Sequence, residues 1–297
     1  MSVATSLGLL VSCGHLYVTT TSMDLDLYLK RINFNGEPGV NLPTLREIQR
    51  QHLLQIPYED LDVQLGRRLD FDTKRIFNKI VEQNRGGWCY EMNGLLGWAL
   101  EELGFDVVRH SGASNREKQG EKTLGTHLLL EVKLNDVSYL TDVGFGDGLH
   151  FPVPITEDTH NHNGFAYGLE QMQDGYWRMH NHPHASMSSF DFSLDPALDA
   201  EEELRNGCNG LQDDPNSPFR QMLIAFRHTQ STIESLLGKT AITITPSGRQ
   251  EHTLNTQQEV QQDLATRFGL HEDISPAWDQ IELAHQRFLD YLAKKKD

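Results

Sequence analysis

At Gly104 the hydrophobic pattern of this chain changes period, and that change limits the fold more than any other feature of the sequence. Before it, apolar residues recur at the three- and four-residue steps that put side chains on one face of a helix. Leu25, Tyr28, Leu29 and Ile32 form one stripe, with Asp24 placed to cap it. Leu45, Ile48, Leu53 and Leu54 form a second, which Leu42-Pro43 opens. A third starts at Asp72, runs through Ile76, Phe77, Ile80 and Val81, and stops at Gly86-Gly87; a fourth runs from Cys89 through Leu95, Leu96 and Ala99 to Leu103. From Asp106 the period falls to two and β-branched residues take over, which predicts strands over 107–111, 127–134, 137–143 and 176–180. Strands over 221–227 and 240–245 follow, then helices near 256–268 and 277–293, the last opened by Ser275-Pro276. Helices, then sheet, then a mixed end is the order of an α+β fold. The stretch 150–215, rich in Pro, His, Asn, Asp and Gly, is predicted to form long surface excursions.

The charge balance narrows the partners. Against 42 acidic residues the 297-residue chain has 26 basic ones, a net charge of −16, which opposes a phosphate backbone and excludes nucleic acid as an expected partner. An anionic small molecule would have to be held by local N–H groups and a few basic side chains. The three cysteines, Cys13, Cys89 and Cys208, are odd in number and far apart, which predicts free thiols in a reducing, cytoplasmic compartment. No apolar run approaches the roughly 18 residues of a membrane span; Ser6–Val18 is broken by Cys13, Gly14 and His15, so no membrane association is expected. Residues 1–22 read as an extension outside the fold.

Chemistry concentrates in Asn84-Arg85-Gly86-Gly87-Trp88-Cys89-Tyr90-Glu91-Met92-Asn93. Two glycines let the backbone turn sharply, so Cys89 falls on the first turn of a helix, where unpaired N–H groups and the positive end of the dipole favour a thiolate. A base is within reach. Asn135-Asp136 makes a two-residue turn between the strands that begin at His127 and Val137, and the resulting register puts His127 and Asp142 on one side of the ribbon as diagonal neighbours. Nucleophile, base and orienter together are what acyl transfer requires.

The run Arg-Gly-Gly-Trp-Cys-Tyr-Glu-Met-Asn resembles the active-site signature of the arylamine N-acetyltransferases, and the spacing from Cys89 to His127 to Asp142 matches that family. Ile56-Pro57-Tyr58-Glu59-Asp60-Leu61-Asp62-Val63, Thr126-His127 and Asp142-Val143-Gly144-Phe145-Gly146 are similar as well, and Ser217-Pro218-Phe219 resembles a short element at the family's substrate pocket. The resemblance is dense over 24–148 and thin beyond. It implies a cysteine-protease-like core in three domains: a helical one (23–105) carrying the nucleophile, a β-barrel-like one (106–213) carrying His127 and Asp142, and an α/β lid (214–297). It also implies acetyl-CoA as co-substrate, no metal, and an aromatic amine or hydrazine as acceptor, with N-hydroxyarylamines as substrates for O-acetylation. Tyr58, Phe145 and Phe219 would line the acceptor site, and Arg85 and Glu59 would form an ion pair behind the cysteine loop. The chain has Tyr58-Glu59-Asp60 where the family usually has Phe-Glu-Asn, an extra hydroxyl and an extra charge near the pocket. An amide synthase of the same fold and a thiol peptidase or transglutaminase-like enzyme are the rival readings, and an inactive scaffold a third.

His160, His162, His180, His182 and His184 fit no standard zinc spacing and read as polar loop histidines. Lys294-Lys295-Lys296 reads as a solvated helix end.

Overall fold

A computed structural model describes residues 23–187 and 189–294; the 1–22 extension, Cys13, Lys295 and Lys296 lie outside the described residues. The N-terminal third is helical, as its apolar stripes require. Leu25–Arg31 is capped by Asp24, and Leu42–Gln55 by Asn41, whose side chain accepts from the Thr44 N–H, with Pro43 in the first turn. Thr73–Phe77 widens into a π-helical turn at Asn78–Glu82, and the long helix Cys89–Glu102 buries almost its whole length.

Two antiparallel sheets follow. The larger has eight strands, in the order Val153–Pro154, Val137–Thr141, His127–Leu134, Asp106–Ser114, Ser189–Phe192, Trp177–His180, Phe165–Gln171 and Asp158–His162. Its two outer strands are neighbours in the chain, so it is nearly closed and barrel-like. The smaller sheet takes Ile224–His228, Ile233–Leu237, Thr240–Thr245 and Gly248–Thr253 from the C-terminal third, and its first strand, Tyr58–Glu59, from the helical third. Tyr58 pairs with Phe226 there and bridges to Gly87 on its other side, so one two-residue strand ties the cysteine loop to the C-terminal sheet. The architecture is α+β.

The stretch 150–215 differs from its prediction. It holds five of the eight barrel strands and a helix, Ala200–Asp213, with no long excursion among them. Phe165, Tyr167 and Leu169 alternate inward, while Ala166 and Glu170 face out, and the hairpin before them turns at Asn163-Gly164, both at positive φ. His160, His162 and His180 are strand residues rather than loop residues, whereas His182 and His184 do lie in a loop, His182 buried and His184 half-buried. The strand predicted over 221–227 runs instead over Ile224–His228, because Ser217 caps a short helical turn at Pro218–Gln221.

Candidate active site

Backbone constraints place the cysteine. The Gly87 carbonyl accepts from the Glu59 N–H, and a Cβ at Gly86 would lie 2.0 Å from the Pro57 carbonyl oxygen, so only glycine fits beside the Tyr58–Glu59 strand. The helix then opens at Cys89, with the Trp88 N–H donating to Glu91 Oε2 at 3.3 Å in place of an intrahelical bond. Glu91 is held in turn by Lys79, whose Nζ is 2.9 Å from both its oxygens and 2.8 Å from Asp62. Arg85 Nη2 donates to Glu59 at 2.7 Å and to Asp62 at 3.3 Å, and Glu59 also accepts from the Leu61 N–H. These charges are buried, so the Arg85–Glu59 pair belongs to an interior network rather than to a solvated surface. Burial pushes the Glu91 carboxyl up against the pull of Lys79; at Asp62 burial is outweighed by Lys79 and Arg85, which hold it low.

The hairpin that carries the base has the register expected from its turn. Leu134 pairs with Val137 and Leu130 with Thr141, and both Asn135 and Asp136 have positive φ. Pairing stops at Thr141, however, and Asp142 is not opposite Leu129 as a continued ladder would put it. The chain leaves the sheet because the helical region supplies its hydrogen bonds: the Asp142 N–H donates to Gln49 Oε1 and the Val143 N–H to Asn93 Oδ1. His127 Nε2 and Asp142 Oδ2 nevertheless meet at 2.8 Å, both groups buried. Asp142 Oδ1 accepts from Asn93 Nδ2 at 2.7 Å and from the Gly144 N–H at 2.7 Å, which fixes the carboxylate from a second side.

Cys89 and His127 open onto one cavity of about 740 Å³. Its neighbours hold the cysteine closely: a Cβ at Gly144 would sit 2.8 Å from Cys89 Cα, and Cys89 Sγ lies 3.9 Å from the Thr126 carbonyl oxygen, next to His127 in the chain. Since Asp142 engages Nε2, Nδ1 is the ring nitrogen that remains for a second partner. A resting thiolate, expected from the helix start alone, is not what the surroundings favour. Burial pushes the Cys89 thiol up, and the N–H groups of Leu128 and Tyr90 that pull it down do not make up the difference. In such a site the sulfur ionises only by handing its proton to an adjacent base, which keeps the pair neutral as a whole.

Tyr58, Phe145 and Phe219 all line this cavity. Phe145 stands edge-on to His127 with ring centroids 5.2 Å apart, Phe219 packs on Trp88 at 5.2 Å, and Tyr58 packs on Phe226 at 6.0 Å. Asp60, by contrast, does not reach the cavity. It is buried between the Ile224 N–H and Gln64 Nε2, and burial pushes its carboxyl well up, so the extra charge expected near the pocket is suppressed. Among the described residues no group of three His, Cys, Asp or Glu is placed to hold a metal ion, and no helix is long and apolar enough to cross a membrane.

Residues that the sequence reading gave no role also shape the site. Asn93 lies four positions after Cys89 and so shares its helix face, a spacing that could have singled it out as Asp142's second partner. Gln49 holds the turn after the triad strand from both ends, accepting from the Asp142 N–H and donating to the Leu149 carbonyl. No local signal marks that contact.

Comparison with known proteins places the whole chain. The family model described as N-acetyltransferase matches residues 41–275. The arylamine N-acetyltransferase of Mycolicibacterium smegmatis is 33% identical over 266 residues, covering 84% of this chain and 92% of that protein, and the one from Escherichia coli K12 is 34% identical over 208 residues, covering 69% and 73%. The structure of Mycobacterium marinum arylamine N-acetyltransferase in complex with CoA superposes with a TM-score of 0.79 at 26% identity, covering 88% of this chain and 99% of that one.

Proposed function

The chain belongs to the arylamine N-acetyltransferase family, and from that premise we propose that it carries the acetyl group of acetyl-CoA on Cys89 and delivers it to an aromatic amine or hydrazine. The observation that carries this reading is His127, held from behind by the buried Asp142, opening together with Cys89 onto one largely apolar cavity.

Each step balances. His127 Nδ1 takes the thiol proton as the sulfur attacks the thioester carbon; the carbonyl electrons move to oxygen, and backbone N–H groups at the helix start face the oxyanion. Collapse breaks the bond to the CoA sulfur, which leaves with the proton from His127. The amine then attacks acetyl-Cys89 and gives its proton to the same ring, and the Cys89 thiolate departs and recovers the proton from His127, which restores the starting pair. Asp142 keeps the ring in one orientation and favours its charged form while it holds the proton. Phe145, Phe219 and Tyr58 take the flat acceptor edge-on or stacked, and by excluding water protect the acetyl-cysteine from hydrolysis. An N-hydroxyarylamine, presenting oxygen instead of nitrogen, is accommodated by the same steps.

In this division of labour 23–105 supplies the nucleophile, 106–213 the base and its orienter, and 214–297 the Phe219 wall. The free, buried Cys89 and Cys208 support a cytoplasmic location. The test is an initial-rate grid of acetyl-CoA against an arylamine. Double-reciprocal lines should stay parallel, as a covalent intermediate requires; lines that intersect would mean direct transfer and remove Cys89 as the carrier.

A further inference from the structure

One wall of the catalytic cavity is supplied by the loop Asn181–Met187, through Ser186 and Met187, and that loop is held to the triad region by a residue outside the cavity lining. Asp147 accepts from Asn181 Nδ2 at 2.9 Å with one carboxylate oxygen and from the Ser186 N–H with the other. It is fully buried, two residues beyond Phe145, and pairs with no cation among the described residues. Its own backbone is fixed on both sides, because the Gly146 carbonyl accepts from His228 Nε2 at 2.9 Å and the Gly148 carbonyl from the Tyr167 hydroxyl at 3.0 Å. The loop it holds is only half-buried at Asn181, Ser186 and Met187. A carboxylate buried with no counter-ion is costly, and the two loop donors are what offset that cost here.

We propose that Asp147 is a positioning residue that holds the Ser186–Met187 wall against the catalytic cavity, and so sets how acetyl-Cys89 divides between transfer to the amine and loss to water. The proposal rests on the reading of Cys89 as the acetyl carrier. Asp147 touches neither substrate nor sulfur; it acts through the wall. Removing it leaves the Ser186 N–H without an acceptor and Asn181 Nδ2 with the Met187 carbonyl alone, which favours the wall swinging out to hydrate them and admitting water to the thioester.

The experiment compares the wild type, Asp147→Ala and Asn181→Ala, each turning over acetyl-CoA with aniline, and measures the ratio of CoA released to acetanilide formed. That ratio does not depend on how much of a preparation is folded, so a merely structural loss leaves it unchanged. Asp147→Ala should raise the hydrolytic share about tenfold, and Asn181→Ala, which leaves the carboxylate in place, should move it in the same direction by less. Should Asp147→Ala fail to fold, the ratio in Asp147→Asn, which keeps one acceptor oxygen and loses the other, decides instead, because Asn181 also holds the Met187 carbonyl directly. Wild-type ratios in the folded variants would overturn the role of Asp147. A wild type that forms no acetyl-enzyme at all would instead overturn the carrier reading, and this proposal with it.

Discussion

Two polar clusters are buried on either side of the triad, and they are stable for opposite reasons. Behind the cysteine loop every group is charged and partnered: Lys79 and Arg85 face Glu59, Asp62 and Glu91 at hydrogen-bonding distance. Beneath the loop that follows Asp142, His150 packs against His228 and Phe165, His162 against Tyr167, and His182 against Phe165 and Tyr167. There His150 Nε2, His162 Nδ1, His228 Nδ1 and both ring nitrogens of His182 find no protein partner among the described residues. The first cluster is stable because each charge has an opposite partner, three carboxylates shared between two cations, the second because its rings carry none. Both lie against loops of the candidate site, through Arg85 in one and His228 in the other, so burial of polar groups is met once by compensation and once by neutrality.

Acid should separate the two most strongly. Burial pushes His162, His182 and His228 down to about 4, with help from Arg46 at His162 and from neighbouring histidines at His162 and His182. The folded chain therefore binds fewer protons than the unfolded one between the ordinary histidine pKa of about 6.5 and about 4. The stability this represents is complete above about pH 6.5 and is lost as pH falls toward 4. His228 alone accounts for about 3 kcal/mol, and the three together are comparable with the ~5–15 kcal/mol of an ordinary domain. Urea unfolding between pH 7 and 4.5 should show a steep loss; a flat profile would mean the rings are not held neutral.

Removing one partner tests the compensated cluster. Lys79→Met keeps the volume but leaves Glu91 and Asp62 short of a cation, and should cost about 3–5 kcal/mol in denaturant unfolding. Adding Glu91→Gln should recover part of that loss. If the double variant is as unstable as the sum of the singles, the charges do not act as a unit. The smallest effect is expected on the neutral side: His182→Phe removes two unpartnered nitrogens from an aromatic setting, and should change stability at pH 7 by no more than about 1 kcal/mol. It should also make the acid loss shallower.

Much of this could be read along the chain, and what could not has a common cause. Gly86-Gly87 before an apolar helix marks Cys89, and Asn135-Asp136 fixes the ladder that carries His127. Local chemistry decides both. Asn163-Gly164 carries the same kind of turn signal between two short alternating strands, but the abundance of histidine and asparagine around it hides the period-two pattern of Phe165, Tyr167 and Leu169. The Ala200–Asp213 helix is masked in the same way by Gly207 and Gly210, although Leu204, Cys208 and Leu211 keep a helical spacing. The pairing of Lys79 with Asp62 and Glu91, the departure of Asp142 from its strand toward Gln49, and the burial that raises the Cys89 thiol are set by distant segments meeting. Nothing within a short window of sequence encodes them.

The whole mechanism depends on whether the buried Cys89 sulfur is the atom that takes the acetyl group. Intact-mass measurement after mixing the protein with acetyl-CoA alone tests this directly. A gain of one acetyl group is predicted, mapped by peptide fragmentation to Cys89, discharged on adding an arylamine and absent from Cys89→Ala. An unmodified Cys89 in a preparation that still acetylates the amine would contradict it.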